Sequence, residues 1–208
     1  MKKYKSLLLL PSALFLFSAI MLTACSEEDD TVDEYPDWQV TNEAYYENLS
    51  DSVISLIEAD EDCGWLRIKN WSFPVVEDGM EGSNTDYIIV EILESAPETE
   101  TESPIYTDSV KVHYLGRLLP SVSYSNGYIF DYSYYPPFDE ETAVASKFVV
   151  SGLIDGYATA MMNMKVGDHW KVYIPHQLAY GESGSSSIPA YSTLIFDIRL
   201  VDFWAVDD

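Results

Sequence analysis

At 208 residues the chain is long enough for one domain with extensions, or for two very small domains. Its formal net charge of −24 repels nucleic acid and anionic lipid surfaces, so nucleic-acid binding is set aside and the charge is read as a solvated face. Hydrophobic residues make up 47% of the chain, an ordinary share that permits a sizeable core, and sixteen tyrosines supply apolar faces with polar tips.

The first predicted element is a targeting segment. Lys2, Lys3 and Lys5 give a positive start, Ser6 to Leu22 is nearly all apolar, and small residues close it. This is the three-part layout of a secretory signal over residues 1–24. Leu22-Thr23-Ala24-Cys25 resembles the lipobox of bacterial lipoproteins. That resemblance implies a lipidated Cys25, a lipid anchor in the membrane and an outer-membrane place in the bacterial envelope. The competing reading is an uncleaved signal anchor, for which the apolar run is near the short end. Ser26-Glu27-Glu28-Asp29-Asp30 resembles the acidic export signal of some surface lipoproteins, and equally suits a solvated tether over residues 25–36. Loss of residues 1–24 removes three lysines and no acid, taking the charge from −24 to −27. Cys63, the only other cysteine, then has no partner within the chain and is expected to pack beside Trp65.

Residues 37–85 read as an N-terminal helical extension and a loop. Tyr45, Leu49, Val53, Leu56 and Ile57 form one helical stripe, with Asn42 or Asp37 as its cap and an end before Cys63. The stripe is too short for a coiled coil, which favours a helix packed on its own domain over a dimerising one. Leu66 to Trp71 suggests a short strand. From residue 86 to 208 strands dominate: Tyr87–Leu93, the alternating Val110–Leu115, Phe148–Val150, Trp170–Ile174 and Leu194–Leu200. One helix interrupts them, with Leu153, Tyr157, Ala160, Met161 and Met164 at helical spacing and Lys165 and Gly167 at its end. This is an α+β layout, a curved antiparallel sheet wrapped over a short helix.

Common catalytic constellations do not fit. His113, His169 and His176 stand in no metal-ligand spacing, no G-x-S-x-G elbow occurs, and Gly181-Glu182-Ser183-Gly184 lacks the lysine of a phosphate loop. What remains is an aromatic pocket. Val110-Lys111-Val112-His113-Tyr114-Leu115-Gly116, Tyr128-Ile129-Phe130-Asp131, Leu153-Ile154-Asp155-Gly156-Tyr157, Met164-Lys165-Val166-Gly167, Leu178-Ala179-Tyr180-Gly181 with Ile188-Pro189, and Thr193-Leu194-Ile195-Phe196-Asp197 follow one another in that order. Together they resemble the FKBP-type peptidyl-prolyl isomerases over roughly residues 86–204.

The resemblance implies an antiparallel half-barrel around a short helix, rotation of X-Pro bonds in proline-containing polypeptides, macrolide ligands in the same pocket, and no cofactor or metal. Carried over by position, Tyr114, Phe130, Phe148, Leu153, Tyr157, Ile188 and Phe196 form the substrate pocket. Asp131 is the polar group beside the aromatic wall, and the Tyr180 hydroxyl and Ile154 backbone N–H hold substrate carbonyls. Tyr157 stands where the family usually has tryptophan. The long loop from Asp131 to Lys147 extends a binding surface, covers the pocket or packs on its own domain. Glu182 to Ser187 reads as the pocket rim, after a strand ending at Tyr180-Gly181. Two other functions stay open: a non-catalytic module that holds proline-rich segments on the same fold, and, more distantly, a sugar-binding lipoprotein.

Overall fold

A computed structural model describes residues 32–74 and 82–205. The predicted signal, Cys25 and the acidic run after it lie outside the described residues. Helix α1 spans Trp38–Ala59, strand β1 Trp65–Lys69, β2 Tyr87–Glu94, β3 Ser109–Arg117, β4 Ile129–Tyr132, β5 Ser146–Val149, helix α2 Asp155–Met161, β6 His169–Ile174 and β7 Leu194–Trp204. The strands form one antiparallel sheet in the order β1-β2-β6-β7-β3-β4. Strand β3 is long enough to serve two partners on one edge: β5 pairs its first half at Val110↔Phe148, and β4 pairs its last residues at Leu115↔Tyr132.

The alternation of side chains decides which face each strand presents. Val110, Val112 and Tyr114 of β3, Val172 and Ile174 of β6, and Phe196, Ile198 and Leu200 of β7 point into the concave side. They enclose α2, whose Gly156 to Met161 are all buried. In β2 the consecutive Ile88, Ile89 and Val90 are all fully buried, because both faces are covered. Ile88 and Val90 join the concave core, while Ile89 joins Tyr46, Val53 and Tyr173 under α1 on the convex side. A two-sided strand therefore reads as an unbroken apolar run.

Helix α1 packs on its own domain, and most of the predicted stripe faces it: Val53 is buried, and Tyr45, Leu49 and Ile57 pack against the cluster under the helix. Its buried positions are Trp38, Asn42, Tyr46, Ser50 and Val53, while Leu56 is exposed. Asp37 holds the N-cap position, in a left-handed conformation and with no side-chain cap bond; its carbonyl accepts the Thr41 N–H at 2.9 Å. Asn42 is not the cap: it lies a turn inside the helix, where its Oδ1 accepts the Thr193 N–H at 2.7 Å. Tyr46 donates its hydroxyl to the Tyr87 carbonyl at 2.7 Å.

Other boundaries moved. Trp71 lies beyond β1, and Val150 already belongs to a 3-10 turn rather than to β5. Helix α2 starts after Leu153 and closes at Met161, because the Asn163 and Met164 N–H groups both turn back to the Ala160 carbonyl. Met164 is nevertheless fully buried. His169 opens β6, one residue ahead of the predicted Trp170–Ile174 strand. Its ring bridges Glu94 at 3.2 Å and Asp197 at 2.9 Å. The long loop after β4 folds back on the convex face: the Tyr134 hydroxyl donates to Asp197 at 2.9 Å, and Phe138 packs against His113 and under the Arg199 guanidinium. Cys63 is half-buried, with its sulfur 3.9 Å from the Trp65 carbonyl.

Candidate active site

At the concave side of the sheet, near the start of α2, aromatic rings meet edge to face. Tyr157 on α2 stands at right angles to Phe196 of β7 at 5.0 Å and to Tyr114 of β3 at 6.4 Å. Phe130 meets Phe196 at 5.4 Å, and Phe148 meets Tyr114 at 5.6 Å. Such T-shaped contacts suit the ring quadrupoles and fix the rings in place. They line a cavity of about 430 Å³.

Two local devices shape this wall. In a regular strand Phe130 and Asp131 would point to opposite faces. Here Gly116 pairs with Asp131 and Arg117 with Ile129, so Phe130 is the extra residue of a bulge. A bulge re-aims side chains, and both neighbours line the cavity. Gly116 supplies the second device. A Cβ there would sit 2.5 Å from the Phe130 ring and 2.8 Å from the Phe196 ring. Only a bare backbone lets both rings lie against β3.

The far side is a loop. Tyr180 does not end a strand: it follows a 3-10 turn at His176–Leu178, and the Gly181 N–H closes back on the His176 carbonyl at 2.8 Å. The loop then forms a tight bridge in which the Ser185 N–H donates to the Ile188 carbonyl at 2.9 Å and the Ile188 N–H to the Ser185 carbonyl at 2.6 Å. Gly184 turns this corner with φ +67, and a Cβ on it would strike the Ile188 carbonyl.

Electrostatically the site holds neutral hydroxyls beside one carboxylate. Burial, with the facing Asp131 carboxylate, pushes the Tyr114 hydroxyl well above its ordinary range. Burial and then Asp131 push Tyr180 up as well. Tyr157 is also raised well above its ordinary range, first by burial, and its hydroxyl finds no hydrogen-bond partner among the described residues. All three therefore stay protonated donors at neutral pH. The Ile154 N–H, at the entry to α2, has no acceptor among the described residues.

Residues 100–201 match the model of the FKBP-type peptidyl-prolyl cis-trans isomerases. This part of the chain is similar to an FKBP-type domain. The chain is 39% identical over 100 residues to the FKBP-type 22 kDa peptidyl-prolyl cis-trans isomerase of Escherichia coli K12, covering 48% of this chain and 43% of that protein. It is 31% identical over 126 residues to the isomerase FkpA of the same organism, covering 61% of this chain and 41% of the relative. The chain thus spans less than half the length of these curated relatives. The crystal structure of FkpA from Escherichia coli superposes with a TM-score of 0.52 at 28% identity, covering 80% of this chain and 61% of that one. The α+β half-barrel expected from the sequence is the fold found.

Within the matched residues 100–201, all ten residues named from the sequence line the one cavity: Tyr114, Phe130, Asp131, Phe148, Leu153, Ile154, Tyr157, Tyr180, Ile188 and Phe196. Gly152 and Ser185 to Ser187 complete it. No residue of the loop from 132 to 145 reaches it. Sequence reasoning missed Gly152, whose only signal was its place just before the Leu153-Ile154 motif, and the Phe130 bulge, which leaves no mark in an alternation pattern.

Proposed function

We propose that the chain is a peptidyl-prolyl cis-trans isomerase of the bacterial cell envelope, acting on proline-containing polypeptides. The observation that carries this reading is the aromatic cavity lined by Tyr114, Phe130, Tyr157 and Phe196, with Asp131, Tyr180 and the Ile154 N–H at its polar edge. The names and the domain match of its relatives support it.

The chemistry follows from the amide. Resonance gives a barrier of roughly 18–20 kcal/mol, while the two X-Pro isomers differ by only about 0.5–1 kcal/mol. The ground state places negative charge on the carbonyl oxygen, which water stabilises. A proline ring seated on Tyr157 between Phe130 and Phe196 takes the amide out of water. The planar form loses that support and the twisted form is held by fixed groups. The Ile154 N–H and the Tyr180 hydroxyl, kept neutral by burial and Asp131, hold the flanking carbonyls. Asp131 faces the polar side of the twisting bond, and Phe148, Leu153 and Ile188 exclude water. No bond is made or broken to a side chain. A macrolide ligand would occupy the same cavity, over a tyrosine floor in place of the family's tryptophan.

The envelope assignment rests on the leader sequence and on Leu22-Thr23-Ala24-Cys25. Radiolabelled palmitate should label the wild-type chain and not Cys25→Ala; an unlabelled wild type refutes the lipid anchor. Catalysis is tested with a tetrapeptide containing one X-Pro bond. Asp131→Ala should lower kcat/KM by about tenfold or more, the scale of a lost hydrogen bond to a charged group. Tyr180→Phe should lower it by about three- to tenfold through loss of one neutral donor. Unchanged rates in both variants would remove these residues from the site.

A further inference from the structure

We propose that helix α1 positions the rim of the pocket, with Trp38 and Ser192 as the positioning residues; this rests on reading the cavity as the substrate site. Trp38 lies outside the FKBP-type domain match at residues 100–201, yet it reaches the loop that bears Ile188. Its indole N–H donates to the Ser192 hydroxyl at 2.8 Å, and that hydroxyl donates to the Pro189 carbonyl at 2.7 Å. One turn along the helix, Asn42 Oδ1 accepts the Thr193 N–H at 2.7 Å while its Nδ2 donates to the Trp38 carbonyl at 2.7 Å. Trp38, Asn42, Ser192 and Thr193 are all buried.

The polarity of this chain of bonds is fixed. A serine hydroxyl has one proton; given to Pro189, it leaves a lone pair that only an outside donor can use, and the indole is a donor alone. Aligned bonds in a buried setting reinforce one another. The segment they hold needs holding. Ser186 and Tyr191 stand at φ 45 and φ 62, left-handed values that a residue with a side chain keeps only when its surroundings impose them. The rim has its own bridge between Ser185 and Ile188, and the Tyr191 N–H meets the Gly181 carbonyl at 3.0 Å. Nothing in that bridge fixes how far the closed loop leans toward Tyr157. The Pro189–Ser192–Trp38 link does, because it ties the residue after Ile188 to a helix packed on the sheet. The same helix has a separate anchor, Tyr46 to the Tyr87 carbonyl, on β2 and away from the rim.

The two anchors separate positioning from mere stability. Ser192→Ala and Trp38→Phe, the latter keeping an aromatic ring against Tyr35, should each raise KM by about three- to tenfold with kcat within about twofold. Both should speed amide hydrogen exchange at Ser185 and Ile188. The double variant should be no worse than Ser192→Ala, since the two act through one link. Tyr46→Phe should lower the melting temperature while leaving KM and rim exchange as in wild type. An unchanged KM and unchanged rim exchange in Ser192→Ala and Trp38→Phe would overturn the proposal, and so would an equal rise in KM in Tyr46→Phe. A wild type without turnover would refute the isomerase reading alone. The exchange rates at Ser185 and Ile188 would then still decide whether α1 sets the rim.

Discussion

The Tyr157 hydroxyl is buried and has no hydrogen-bond partner among the described residues. An unsatisfied buried hydroxyl costs about 1–3 kcal/mol. Tyr157→Phe keeps the ring contacts and removes that cost, so it should raise stability by about 1 kcal/mol, seen as a rise in melting temperature of about 2–4 °C. A fall would mean that the hydroxyl has a partner. The tyrosines also set an alkaline limit. Burial raises Tyr46, Tyr114, Tyr134 and Tyr157 well above 10, and Tyr173 is pushed up to about 12 by burial and then Glu91. A group raised in the folded state contributes stability below its unfolded value, near 10, and that contribution is lost as pH rises through the folded value. Stability should hold to about pH 10 and fall beyond it. Tyrosinate absorbance should then rise together with loss of near-ultraviolet dichroism; complete ionisation near pH 10 in a folded chain would contradict the burial. At this scale the pocket residues were legible because ordered motifs carry them. The orphan state of Tyr157 was not, since it depends on what surrounds the ring tip.

Among the elements, β3 and β4 make the most exposed claim. Gly116→Ala places a methyl against Phe130 and Phe196, and overpacking of this kind costs about 1–3 kcal/mol. It should lower both the melting temperature and kcat/KM, because the displaced rings are pocket walls; a variant with wild-type values for both would refute the close approach. Strands with one buried face, such as β7, were legible from alternation alone. The face of α1 was legible only in part: Tyr45, Leu49, Val53 and Ile57 pack as the stripe predicts, but its polar buried positions were not foreseen. Asn42 and Ser50 sit in the middle of its buried stripe, and a hydrophobicity pattern passes over polar residues whose partners lie far along the chain. Thr193 is 151 residues from Asn42, and no local rule connects them. The Phe130 bulge escaped for a similar reason: it is set by pairing register, not by residue type.

For the whole molecule, the net charge of −24 acts on encounter rather than on the fold. Peptides with lysine beside the X-Pro bond should show kcat/KM about tenfold above glutamate-flanked ones at low salt, converging at 0.5 M salt as screening sets in. Equal rates at low salt would mean that the pocket mouth is shielded from the field. The fold class, the half-barrel and the helix beneath the pocket were legible because many weak motifs agreed in order. The attachment of α1 across the sheet was not, because long-range docking leaves no period in the sequence. The central claim, that the aromatic cavity turns X-Pro bonds, is met most directly by exchange spectroscopy on an X-Pro tetrapeptide with micromolar purified protein. The predicted result is cis and trans signals in fast mutual exchange, slowed at least about tenfold by Asp131→Ala. Peptide that binds while its isomers exchange no faster than in buffer would contradict it.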